Sequence, residues 1–184
     1  MYLDIKGLVT TGMGNLIDPV EAALRLTWHA GDGTTATPDA VRHEWSRIKS
    51  NLALAHLGAQ AARRVATLLL DAADIDTLII DKLDHDEAIL KANPAFAAFD
   101  DWPADAQLGL LSMGWAMGPG FGSRFPRFST ACAAGDFTTA ARDCAISTTG
   151  NPGVARRNAA NRQAFLLAST AQDTATLRSR IPPL

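Results

Sequence analysis

The pattern of apolar and polar positions divides the chain into two unequal parts. From Tyr2 to Leu16 it alternates loosely and is interrupted by Gly7, Gly12 and Gly14, which predicts a short β-hairpin or extended segment with glycine turns. Beyond it the pattern is helical. Asp18-Pro19-Val20-Glu21 predicts a helix running to about Trp28, with Asp18 as N-cap, Pro19 at the first helical position and Glu21 reaching back to the cap. The glycine- and threonine-rich stretch from His29 to Thr37 predicts a loop. Thr37-Pro38-Asp39 opens a second helix to about Ser50. Leu52 to about Ala73 reads as a long Ala/Leu-rich helical stretch with Arg63 and Arg64 on one side, and Asp76 to Leu90 as another helix. Asn93-Pro94 and Asp101-Trp102-Pro103 punctuate the chain after that helix.

Ala106 to Met117 is apolar nearly all round, through Leu108, Leu110, Leu111, Met113, Trp115 and Met117, which predicts the buried centre of a bundle. Gly118-Pro119-Gly120 ends it. Helices over Phe125–Ala134, Asp136–Ile146 (Asp136 as N-cap) and Gly153–Ser169 complete the set. The expected fold class is mainly α: a short glycine-rich N-terminal hairpin followed by a helical bundle around one buried helix. No internal repeat or low-complexity linker interrupts it.

Composition narrows the function classes. The 184 residues are 47% apolar and 20% charged, enough for a core without disulfide staples. The 34 alanines favour helices. A net charge of −2 gives no global field for nucleic acid or an anionic surface, so neither nucleic-acid binding nor membrane insertion is expected. No apolar run has the length of a membrane helix; even Leu52–Ala62 is broken by His56 and Gln60. The N-terminus lacks a signal-peptide layout. Cys132 and Cys144 are too few for a disulfide scaffold or a zinc site and read as buried reduced thiols, so no metal or other cofactor is expected and synthesis in a reducing cytoplasm is.

The most unusual segment is Tyr2–Leu16. Asp4 and Thr10 flank a glycine turn, and across the arms of a hairpin a carboxylate and a hydroxyl can hold one water molecule and aim it at a reacting carbon. Gly12-x-Gly14 lets backbone approach a ligand closely. The bland alternative is a hairpin whose polar residues face solvent.

The segment Asp4, Gly7, Thr10, Gly12, Gly14, Asn15, Leu16 resembles the active-site hairpin of the phage-type lysozymes, the muramidase endolysins, with Asn15 in place of the usual His. Trp102 to Leu108 and on to Met117-Gly118 is similar to that family's central buried helix. Asn151-Pro152-Gly153-Val154-Ala155-Arg156-Arg157 resembles its Pro-Gly-x-x-x-Arg-Arg helix start. The hairpin also resembles that of the pesticin-type muramidases. The resemblance implies one α+β lysozyme-like domain over residues 1–184: hairpin 1–16, helical insert and connecting region 17–100, C-terminal helical lobe 101–170 and tail 171–184. It implies hydrolysis of the β-1,4 bond between N-acetylmuramic acid and N-acetylglucosamine, with Asp4 and Thr10 positioning water or stabilising developing positive charge. Gly12, Gly14, Asn15 and Arg156 would contact the glycan. A monomer acting on periplasmic peptidoglycan, released by a holin or brought by a delivery partner, is the expected setting.

In that family a Glu in a helix ahead of the Asp is the general acid, and here that position falls before Met1. Three readings stay open: the natural chain starts upstream, an internal glutamate substitutes, or the domain binds glycan or serves a phage assembly without cleaving. Of the 19 acidic residues only Glu21, Glu44 and Glu87 are glutamates. Glu21 reads as a capping residue. Glu44, beside Trp45, reads as a solvent-facing residue or as an acid with a pKa raised by desolvation. Glu87, in Asp84-His85-Asp86-Glu87, reads as part of a solvated helix face. Trp28 and Trp45 are candidates for stacking on sugar, while Trp102 and Trp115 read as core. Arg156 and Arg157 read as contacts to the hairpin or the glycan, or as a surface pair.

Overall fold

The structure is a computed structural model describing residues 1–56, 64–149 and 153–171. It is mainly helical, with a small antiparallel sheet at the N-terminus. The sheet has the order β1-β2-β3, formed by β1 (Tyr2–Leu3), β2 (Val9–Thr11) and β3 (Asn15–Leu16). Tyr2 pairs with Thr10 and Leu3 with Val9; Thr10 pairs with Leu16 and Thr11 with Asn15. The β1–β2 turn requires Gly7, whose φ of 72° is strained for any residue with a Cβ.

Seven α-helices are described: α1 (Val20–Ala23), α2 (Pro38–Ser50), α3 (Ala72–Lys91), α4 (Ala104–Met117), α5 (Pro126–Ala133), α6 (Phe137–Asp143) and α7 (Val154–Thr170). Helix α2 begins as the sequence predicts, with Pro38 in the first turn and the Thr37 hydroxyl accepting from Ala40 N at 3.2 Å. Its Val41, Glu44, Trp45 and Ile48 share one face. Helix α6 begins at Asp136, whose carboxylate accepts from Thr139 N at 2.9 Å; it ends at Asp143, short of the predicted Ile146.

Several boundaries are corrected. Helix α1 is a single turn ending at Ala23, and Asp18 is not its cap. The Asp18–Pro19 bond is cis, Pro19 occupies the cap position, and no side chain caps the helix. The Asp18 carboxylate accepts instead from Val9 N (3.1 Å) and Lys49 Nζ (2.5 Å). Glu21 is exposed in the first turn without capping it. The long helix predicted from Leu52 is replaced by a 3₁₀ segment, Leu52–His56, and non-helical chain from Arg64 to Asp71. Extended pairing of Leu69 with His29 overrides alanine and leucine propensity there. Arg63, the Asn151-Pro152 pair and most of the expected tail lie outside the described residues.

By its contacts the chain divides into two compact units, Met1–Lys82 and the residues from Leu83 onward. The first has a core of Leu3, Val9, Ile17, Trp28, Val41 and Ile48 with their neighbours. The second is aromatic: Phe96, Phe121, Phe128 and Phe165 are wholly buried, and Phe128 meets Phe165 edge-on at 5.2 Å. Helix α4 supplies Ala106, Leu110 and Met113 to this core, while Leu108 is 63% exposed. The predicted all-round burial is therefore corrected to burial on one face. Ala106, Leu110 and Met113 lie one turn apart, and Leu108 falls on the opposite side.

Candidate active site

The hairpin fixes Asp4 through its own turn. Asp4 Oδ1 accepts from Lys6 N at 2.8 Å and Leu8 N at 2.9 Å, while its backbone N–H donates to Leu8 O at 2.9 Å. Four residues of chain are thereby wound around one carboxylate oxygen, as Asx turns do. Among the described residues Oδ2 accepts no hydrogen bond. Thr10 is buried, and its hydroxyl donates to Leu8 O at 3.1 Å. Because Tyr2 faces Thr10 and Asp4 faces Leu8, Asp4 and Thr10 lie on the same side of the ribbon as diagonal neighbours. They do not bond each other directly.

Gly12 has φ 53°, and a Cβ there would sit 3.1 Å from Asn15 Oδ1 and 3.2 Å from Ile75 Cγ2, so the turn excludes larger residues. Gly14 closes the turn, donating to Thr11 O at 3.1 Å. Asn15 is buried; its Nδ2 donates to Leu78 O at 2.9 Å, tying β3 to α3, and its Oδ1 has no partner. Arg156 is exposed in the first turn of α7. Its neighbour Arg157 donates to Ser112 O (3.1 Å) and Ser112 Oγ (3.0 Å), holding α7 to α4.

Glu21 and Glu44 do not sit as the sequence suggests, whereas Glu87 keeps to a partly exposed helix face. Glu44 is buried, not solvent-facing: Oε1 accepts from Thr67 N at 2.6 Å and Oε2 from Arg47 Nε (3.0 Å) and Nη2 (2.7 Å). Burial pushes its pKa up, but the Thr67 and Arg47 bonds outweigh burial and hold it below the ordinary value. Glu87 is half-buried and paired with Lys91 at 2.5 Å; Lys91 also reaches Asp100 at 2.6 Å. Trp28 is 1% exposed, with Nε1 donating to Ala23 O, so no face is open for stacking on sugar. Trp45 is half-buried and donates to Ile17 O. Trp102 lies in the second core and Trp115 is half-buried. Cys132 and Cys144 are buried free thiols. Among the described residues no group of three or more His, Cys, Asp or Glu could hold a metal, and no helix is long and apolar enough to cross a membrane.

Two features escape sequence reasoning. Lys49 donates to both Gly7 O (3.0 Å) and Asp18, so α2 clamps the hairpin turn. A cavity of about 410 Å³ opens beside the hairpin, lined by Tyr2, Thr11, Gly12, Trp28, Leu68 and Leu70 among others. Both depend on partners more than twenty residues apart, which no local pattern encodes. No protein-family model matches this chain, and no curated protein and no solved structure matches it either.

Proposed function

We propose that the chain carries the water-positioning half of a lysozyme-type glycoside hydrolase acting on peptidoglycan. The observation that supports it is the pinned Asp4 carboxylate, with Oδ2 open and Thr10 diagonally beside it on one side of a glycine-turned ribbon. A carboxylate so held keeps its orientation when a substrate arrives, which is what aiming a water or facing a developing oxocarbenium ion requires. Gly12, Gly14 and Asn15 would shape the adjacent turn for the glycan, and the exposed Arg156 of α7 would be a further glycan contact. Delivery to periplasmic peptidoglycan by a holin or injection partner belongs to the same reading.

A second reading, a lysozyme-like domain that binds glycan without cleaving it, draws on the glutamates. A retaining or inverting glycosidase needs a protonated acid as well as a carboxylate. Glu44 is held below its ordinary pKa by internal partners, and Glu87 is in an ion pair.

One substitution separates the two readings. Asp4→Asn keeps an oxygen for Lys6 N and Leu8 N, so the turn survives, and removes the charge. With purified peptidoglycan, the hydrolase reading expects release of reducing ends that falls by about 10²-fold or more in Asp4→Asn. Release that is unchanged in Asp4→Asn overturns the assignment of Asp4. Co-sedimentation with peptidoglycan and no release from either protein favours the binding reading.

A further inference from the structure

Two consecutive peptide groups of the hairpin turn are held at both ends. The first joins Gly7 to Leu8. Its C=O accepts from Lys49 Nζ at 3.0 Å, and its N–H donates to Asp4 Oδ1 at 2.9 Å. The second joins Leu8 to Val9. Its N–H donates to Asp18 Oδ2 at 3.1 Å, and its C=O accepts from Thr10 Oγ1 at 3.1 Å and from Asp4 N at 2.9 Å. A trans peptide is planar and points its C=O and N–H in opposite directions. Each of the two groups therefore has one end on Lys49 or Asp18 and the other on Asp4 or Thr10. Lys49 and Asp18 complete the frame by bonding each other at 2.5 Å.

Charge strengthens this frame. The Lys49 cation at the C=O and the Asp4 carboxylate at the N–H polarise one peptide in the same sense, and bonds to ionised groups are stronger than neutral ones. The Asp18 carboxylate acts likewise on the Leu8 carbonyl that Thr10 uses. The side chains of Lys49 and Asp18 are only 35% and 14% exposed, so the pair is screened less than a surface bridge. Lys49 also stands on a fixed support. One turn earlier on α2, Trp45 donates to Ile17 O at 2.8 Å, the Lys49 ammonium lies 5.9 Å from the Trp45 ring centroid, and Ile48 is wholly buried. Gly7, at φ 72°, is the residue of the turn with the most backbone freedom, and its carbonyl is the one that Lys49 holds.

We propose that Lys49 and Asp18 are positioning residues of the candidate site: from outside the turn, their ion pair sets the spacing of the Asp4 carboxylate and the Thr10 hydroxyl. The proposal rests on the reading of Asp4 and Thr10 as the pair that aims water at a glycan. Lys49 acts on the reaction through the Gly7–Leu8 peptide, and Asp18 through the Leu8–Val9 peptide. Loss of the pair therefore leaves both site side chains in place but frees their spacing. That slows the chemical step more than it weakens glycan binding, because near-attack geometry is more sensitive to small displacements than binding is.

The test compares the whole chain, ¹⁵N-labelled, with Lys49→Met and Lys49→Arg. Hydrogen exchange is followed at the Asp4 and Leu8 amides, with the Ala36 amide, which donates to Trp28 O in the same unit, as the control for general stability. Lys49→Met is expected to speed exchange at Asp4 and Leu8 by about tenfold or more while Ala36 changes by less than about threefold. Lys49→Arg keeps a cation within reach of Gly7 O and Asp18 and is expected to restore the protection. With soluble peptidoglycan strands, kcat for release of reducing ends should fall about tenfold in Lys49→Met with KM within about twofold, and Lys49→Arg should recover most of kcat. If Lys49→Met does not fold, Asp18→Asn, which keeps an oxygen for Val9 N and removes the charge, is read in the same way. Three results overturn the proposal: unchanged exchange at Asp4 and Leu8, an equal acceleration at Ala36, or a rise in KM with kcat unchanged. No release by the wild-type chain counts against the hydrolase reading instead, and the exchange rates then decide alone whether the ion pair positions Asp4 and Thr10.

Discussion

Glu44 shows how one side chain changes meaning when its neighbours are known. In sequence it stands beside Trp45 on an amphipathic helix and suits either solvent or an acid role. In the folded chain its carboxylate is buried and accepts three hydrogen bonds, from Arg47 and from Thr67 N. Arg47 Nη2 continues to Val65 O at 2.5 Å, so the pair anchors residues 65–67 to α2. Removing the charge should cost about 2 kcal/mol, since bonds to a charged group are worth more than neutral ones and Gln cannot accept from all three donors. Urea unfolding of Glu44→Gln measures it. Because the folded pKa lies below the unfolded value, the Glu44 contribution is complete above the unfolded pKa and is lost as pH falls through the folded one. Asp18 has the same sign: burial pushes it up, and the Lys49 and Val9 bonds more than offset that. Thermal stability should therefore fall as pH drops below about 4, and fall less steeply in Glu44→Gln.

At the scale of elements, helix α4 is shaped by what it must touch. Gly109 lies in its interior, where alanine would gain about 1 kcal/mol in helix propensity. A Cβ there would sit 2.9 Å from Phe165 Cε2 and Cζ. The Phe165 ring is wholly buried and is braced by Phe128 at 5.2 Å and Phe137 at 6.5 Å, so it has nowhere to retreat. Overpacking of this kind costs about 1–3 kcal/mol and outweighs the propensity gain. Gly109→Ala should lower the midpoint of thermal unfolding, and a rise in midpoint would show that α4 and α7 separate easily. The hairpin follows the same logic in reverse: its geometry is carried by Asp4 and by Gly7 within the turn, so this element is legible in sequence. The stretch after Leu52 is not, because its extended pairing depends on His29, forty residues upstream of Leu69.

For the molecule as a whole, charge sets the reach of any encounter. A net charge of −2 provides no long-range attraction to an anionic cell wall. Glycan binding or release should then change by less than about twofold as ionic strength rises from about 20 to 150 mM, where a basic wall-binding protein would lose affinity steeply. Sedimentation with peptidoglycan across that range checks this. The two cores are built differently as well: aliphatic residues and one tryptophan dominate in Met1–Lys82, interlocked aromatic rings in the residues beyond.

Sequence by itself determined what is local. The mainly helical class, the glycine hairpin, the Thr37 and Asp136 caps, and the placing of Asp4 and Thr10 on either side of one turn all depend on residues within a few positions of each other. Tertiary structure decided what depends on distant partners. Asp18 gave up a helix cap for Lys49 and Val9, because a half-buried carboxylate gains more from a cation and an N–H than from a one-turn helix. Glu44 became an anchor and Trp28 a core residue. The cavity beside the hairpin exists only because segments about sixty residues apart come together around it. Periodicity reports which side of an element is apolar; it carries no record of which distant segment that side meets.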